Sequence, residues 1–198
     1  MKTLIQNLEN NRFTIHHVAT GQEAFDLAKI FIKPGLSVGV GGSTTVAQIG
    51  LLAWLQANET IELYNQYEEG ISREEAYERR RQGLLSDLFI ASSNAITEAG
   101  ELVNVDGDGN RVAAQIFGPC QVLLIVSTNK IVPDQTAAFK RIRTVAVPQN
   151  IDRMNAKAIA MGKEPRWTYE NIGKKFVTIT GDKPGRTTII LVDEKLGF

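Results

Sequence analysis

The run Gln121-Val122-Leu123-Leu124-Ile125-Val126-Ser127 constrains the fold more than any other stretch. Its five central residues are all branched and apolar, so neither face of a strand built from them can meet water. A strand buried on both faces belongs in the middle of a parallel sheet covered on each side. Shorter strand-like runs follow the same logic at Phe13–Val18, Leu36–Val40, Thr60–Tyr64, Asp87–Ser92, Phe176–Thr180 and Thr187–Val192. Between them lie stretches with helical spacing. Leu4, Ile5 and Leu8 mark Met1–Asn11, and Ala24, Leu27, Ala28 and Phe31 mark a helix capped at Thr20 or Gly21 and stopped by Pro34-Gly35. Val46–Leu55 reads as one helix, Ser72-Arg73-Glu74-Glu75 opens another as a capping box, Pro133-Asp134 opens a third, and Pro148–Met161 a fourth. Leu102–Val105 and Val112–Phe117 read as two strands around the turn Asp106-Gly107-Asp108-Gly109-Asn110. Gly162–Gly173 reads as irregular, anchored by Trp167 and Tyr169.

Alternating strands and helices imply an α/β domain with a mostly parallel sheet. The length of 198 residues suits a single domain. Within it, residues 1–35 form a helical and strand lead-in, 36–147 the motif-bearing core, and 148–198 a helix, an irregular segment and closing strands. A formal net charge of zero excludes a nucleic-acid binder built on a broadly basic face. Cys120 is the single cysteine, so no disulfide framework or cysteine-based metal cluster arises within the chain. His16 and His17 are the only histidines, and one inward and one outward ring on a strand accounts for them without a metal. Met1–Arg12 lacks a signal-type apolar segment, and no run approaches the ~18 residues of a membrane helix. The expected location is the cytoplasm.

In parallel sheets ligands bind beyond the carboxyl ends of the strands. Three stretches fall there. Gly41-Gly42-Ser43-Thr44-Thr45 joins a strand to a helix, and its glycines, hydroxyls and helix start suit a phosphate, carboxylate or nucleotide. It is not a P-loop, because no Lys follows the glycines. The dinucleotide fingerprint fails at Thr44, although Glu62 falls about where its ribose-binding acid would. Asn94 and Glu98 lie in the second stretch, Asn129 and Lys130 in the third. Glu98 is a candidate base or nucleophile, Lys130 an anion partner, and the two asparagines orienting groups. The Asp-Gly-Asp-Gly-Asn turn starts like a calcium loop but has Arg111 where glycine is required and Phe117 where the bidentate Glu is required, so it reads as a turn.

Several motifs resemble the LUD-domain family of lactate-utilisation proteins. They are Gly39-Val40-Gly41-Gly42-Ser43-Thr44-Thr45, Ser93-Asn94-Ala95-Ile96-Thr97-Glu98 with Gly100-Glu101-Leu102-Val103-Asn104, Asp106–Ala114, Phe117-Gly118-Pro119 and Asn129-Lys130-Ile131-Val132. Thr188–Phe198 is similar to that family's last strand. The resemblance implies a three-layer α/β/α fold like that of ribose-5-phosphate isomerases and CoA-transferases. It implies an accessory subunit in oxidation of lactate or a related organic acid to pyruvate, binding a small anionic ligand and working beside iron–sulfur partner subunits. Many members carry a cysteine cluster before the last strand. Met161–Asp182 contains no Cys, so no cofactor is evident in this chain itself. Thr97-Glu98-Ala99-Gly100 is similar to the stretch bearing the nucleophilic glutamate of CoA-transferases. That similarity implies an alternative, a stand-alone CoA-transferase-like or sugar-phosphate-isomerase-like enzyme using Glu98, with a phosphate- or CoA-containing ligand.

Overall fold

The computed structural model describes residues 1–198. The elements in chain order are α1 (Lys2–Asn10), β1 (Thr14–Val18), α2 (Gly21–Phe31), β2 (Ser37–Val40), α3 (Thr44–Gln48), α4 (Leu51–Gln56), β3 (Glu62–Tyr64), α5 (Arg73–Gly83), β4 (Leu88–Ala91), β5 (Ala95–Thr97) and β6 (Leu102–Asp106). They continue with α6 (Asn110–Ile116), β7 (Gln121–Ser127), a 3₁₀ turn (Thr128–Lys130), β8 (Ile131–Val132), α7 (Gln135–Arg141), α8 (Val147–Ala160), α9 (Tyr169–Ile172), β9 (Lys175–Ile179) and β10 (Thr187–Val192).

Six strands form one fully parallel sheet in the order β1-β10-β7-β4-β2-β3. β7 lies inside it, as its composition requires. Alternate residues serve its two faces. Leu123 and Ile125 join Val38, Val40, Ile90, Ile190 and Val192 against α2, α3 and α4. Val122, Leu124 and Val126 join Phe89, Ala91, Ile189 and Leu191 on the other side. There the cover is mixed: Leu4 and Leu8 of α1, Ala114 of α6, and Ile96 and Leu102 from a second sheet, β8-β5-β6-β9. The opposite face of that small sheet (Ala95, Val103, Val105) packs on Ala138, Ile142 and Val147 of the α7–α8 helix pair.

Four local expectations change. The expected strand Val112–Phe117 is instead mostly helix, α6, which ends at Ile116 with Phe117 extended. The Asp106 carboxylate accepts the N–H groups of Arg111 (3.0 Å) and Val112 (3.4 Å), and Gly109 takes φ +101°, so the turn opens a helix instead of closing a hairpin. Val46–Leu55 breaks in two at Gly50, which adopts φ +79°. α7 and α8 are joined by a π-helical turn over Ile142–Ala146, immediately before Pro148, which has no N–H to contribute. Trp167 packs on the core beside the small sheet, but Tyr169 is exposed and Ile172 supplies the other anchor.

Other local chemistry follows the sequence. Thr20 and Glu23 form a complete capping box, while Ser72 caps α5 alone because the Glu75 carboxylate turns to Arg79 (2.7 Å). His16 packs edge-on against Phe31, and His17 meets Asp193 at the surface. No helix is long and apolar enough to cross a membrane.

Candidate functional site

The carboxyl ends of β2, β4 and β7 lie side by side, because β4 sits between the other two. The segments after them converge on Lys130. Its side chain is 3% exposed, and its amine donates to Thr45 Oγ1 (2.9 Å) and Ser92 Oγ (3.1 Å). No carboxylate lies within ion-pair distance of it. Burial is the main cause that pulls its pKa down to about 7, and the charges of Arg141 and Arg111 add to it. This buried amine has neutral hydroxyl partners and two guanidinium groups nearby, of which Arg111 lies 3.9 Å from the Asp106 carboxylate, so Lys130 itself has no anionic partner.

Arg111 and Arg141 were not singled out in the sequence. Arg111 is buried and donates to Ser92 O (3.2 Å), Asn104 Oδ1 (2.9 Å), Asn94 Oδ1 (2.9 Å) and Val105 O. Arg111 enters the sequence reading only where a calcium loop would need glycine and within the motif Asp106–Ala114. Arg141 donates to Asn94 O (2.6 Å), and burial lowers its pKa. It lies three positions after the buried Ala138, on the inward face of α7, which is the signal that could have found it.

The glycine loop is closely packed. A Cβ on Gly41 would stand 3.0 Å from Arg111 Cγ and 3.2 Å from Ala91 Cβ, and one on Gly42 would collide with the Tyr67 hydroxyl. Glycine here admits neighbouring side chains to the backbone. Ser43 caps α3 by accepting the Val46 N–H (3.2 Å), and Thr44 Oγ1 is buried without a partner. α3 has only five residues, so its dipole is weaker than a long helix would supply. Asn94 is spent on structure. Its Oδ1 accepts from Val105 N (3.0 Å) as well as Arg111, and its own N–H donates to Asn104 Oδ1 (3.0 Å). Asn129 is beside Lys130, with its Oδ1 buried and unpartnered.

Glu98 is not brought to this cluster by any contact. It occupies the turn between β5 and β6, exposed, with its carbonyl accepting from Asn7 of α1 (2.8 Å) and its N–H donating to Val132 O (2.9 Å). Glu62 is exposed on the edge strand β3.

The segment after β10 crosses the site as a strap. Ser127 Oγ donates to Glu194 O (2.7 Å) and accepts from Leu196 N (3.2 Å), and Gly197 N donates to Gln48 Oε1 (2.7 Å). Gly197 has φ +60°, and a Cβ there would collide with Thr45 Oγ1 and stand 3.1 Å from Lys130 Nζ. Two open grooves lie elsewhere, among residues such as Arg12, Asp182, Phe117 and Pro119. Their buried charge is already paired, Arg186 with Asp182 at 2.8 Å.

The fold is of the α/β class, a parallel sheet with a small second sheet on one face. The chain belongs to the LUD domain family, whose model matches residues 1–192. Among solved structures it is similar to a DUF162 family protein from Deinococcus radiodurans, at 13% identity and a TM-score of 0.53, covering 96% of this chain and 94% of that one. It is also similar to ribose 5 phosphate isomerase A from Neisseria gonorrhoeae, at 12% identity and a TM-score of 0.38, over 82% and 76% of the two chains. A comparison with curated proteins finds no match.

Proposed function

We infer that this LUD-domain chain is an accessory, ligand-binding subunit of lactate or related organic-acid utilisation, and that it holds a small anion at Lys130 and Thr44–Thr45. The observation that carries the reading is Lys130 itself, an amine buried to 3% exposure with only hydroxyl partners and two arginines nearby. A carboxylate or phosphate would supply the missing negative charge and restore the ordinary protonation of the amine. The buried hydroxyl of Thr44, next to Thr45, has no partner within the protein. The link to lactate comes from the family resemblance. Glu98, exposed on its turn, takes no part in this reading, and iron–sulfur chemistry is assigned to partner subunits.

A thermal-shift panel of lactate, pyruvate, orthophosphate, nucleotides and CoA esters tests it. A ligand at about 100 times its dissociation constant adds roughly 2.7 kcal/mol. The expected hit disappears in Lys130→Met and weakens about tenfold per pH unit above pH ~7, where the empty site loses its proton. A hit unaffected by Lys130→Met, or one that tightens with rising pH, would move the ligand elsewhere.

A further inference from the structure

Charge is unevenly placed on this chain, although its sum is zero. Residues 140–175 run from the end of α7 through α8 and α9 to the start of β9. They hold nine Lys and Arg against three acids, a net +6, so the rest of the chain carries −6. None of those nine cations has a carboxylate at ion-pair distance, whereas six of the thirteen elsewhere do. Arg153, Lys157, Lys163 and Arg166 are exposed on this unit, which packs on the small sheet through Ala138, Ile142 and Val147. Like charges gathered without counter-charges attract a surface of opposite sign. Such a surface exists on the same chain. Residues 59–78, which take in β3 and the first part of α5, hold seven Glu against one Arg, a net −6, and all seven glutamates are exposed. The three arginines that follow are taken up by ion pairs, Arg79 and Arg81 with glutamates of this stretch and Arg80 with Asp108. Glu59, Glu62, Glu69 and Glu74 remain unpaired, along a strand that is the free edge of the large sheet.

We propose that this chain associates with a second copy of itself, the basic α7–α9 surface of one copy seated on the acidic β3–α5 edge of the other. The two surfaces carry opposite and equal net charge, and no ion pair joins them within one molecule. Both are therefore free to meet their complement on a neighbour. Each also holds exposed apolar side chains. Tyr77 (63% exposed) stands among the glutamates, and Ile159 (60%) and Met161 (54%) stand among the lysines. Apolar anchors ringed by charge suit a protein contact, in which the anchors supply affinity and the charges set register and exclude wrong partners. A nucleic acid, held through its phosphates, would leave the aliphatic anchors unused. The contact joins two different surfaces, so it closes into a pair where both can engage at once and otherwise repeats from copy to copy.

Sedimentation velocity of the intact chain tests this. At low ionic strength and about 100 μM, within reach of a micromolar contact, the chain is expected to run as a dimer or larger assembly. In about 1 M NaCl, where charges are screened beyond about 3 Å, it is expected to fall to monomer. Two double variants reverse exposed charges, Lys157→Glu with Lys163→Glu on the basic surface and Glu62→Lys with Glu69→Lys on the acidic edge. Each alone is expected to weaken association about tenfold or more. Mixing the two restores it, because the unaltered basic surface of one variant meets the unaltered edge of the other. A chain that stays monomeric at low salt overturns the proposal. Association that both variants retain overturns it too, and would move the contact to another surface, such as that of Leu85 and Phe117. Association lost in either variant and not regained on mixing refutes it equally, since the loss would then come from altered folding.

Discussion

Replacing Lys130 by Met should make the empty protein more stable near neutral pH, although it removes the residue on which binding depends. The unfolded chain titrates this lysine near 10.5, and the folded one near 7. At about 1.4 kcal/mol per pH unit, holding the amine in the fold costs up to about 5 kcal/mol once both states are protonated. The sign follows from linkage. The folded value lies below the unfolded one, so between pH 7 and 10.5 the unfolded chain binds the extra proton. The penalty is therefore full below pH 7, shrinks as pH rises through that window, and is gone above it. Met is unbranched and of similar length, so it fills the same channel. It leaves Thr45 Oγ1 and Ser92 Oγ without their donor, at a cost of about 1 kcal/mol each. The balance is a gain of about 3 kcal/mol at pH 6, falling to parity near pH ~9. Urea unfolding of both proteins at pH 6, 8 and 10 measures it. A Met variant less stable than the wild type at pH 6 would refute the reasoning, as would equal pH slopes between 7 and 10.

Three further perturbations address the surroundings of that amine. Arg111→Lys strands several buried acceptors, among them Asn104 Oδ1 and Val105 O, and should cost about 3 kcal/mol in urea unfolding; a loss under 1 kcal/mol would show that the guanidinium is not what binds β4, β5 and β6 together. Gly41→Ala places a methyl 3.0 Å from Arg111 Cγ and should cost about 1–3 kcal/mol, while an unchanged melting temperature would mean that the arginine stem yields freely. Gly197→Ala puts a Cβ against Thr45 Oγ1 at φ +60° and should lift the strap, so Lys130 should react faster with an acylating reagent at pH 8; a rate equal to the wild type would show that the strap is not its cover.

The large sheet was legible because its signals are local and redundant. Val122–Val126 demands burial on both faces wherever it lies, and Thr20, Ser72 and Asp134 cap their helices within three residues. The small sheet was not. Its strands are two to five residues long, and β9 pairs with β6 across some seventy residues of chain, a contact no window of sequence reveals. α6 was misread because Val112 and Ala114 alternate as in a strand; the deciding contact is the Asp106 carboxylate, several residues upstream. At the candidate site, the sequence placed Gly41–Thr45 and Lys130 at strand ends. Their meeting depends on β4 lying between β2 and β7, which is a property of strand order alone.

The strand order also dictates the timing of assembly. β10 slots between β1 and β7, so Thr14 finds its neighbour Thr188 only once every element between them has been made. β1, with α1 and α2 on either side of it, has no other strand to pair with in the large sheet. During synthesis β1 must wait for a strand more than 150 residues downstream before it can join the large sheet. Such non-local closure is slow and leaves apolar surface open to aggregation or to chaperones. A chain interrupted before Thr187 loses more than its own last strand. β1 is then left without a partner in the large sheet, so losing one strand removes two from it.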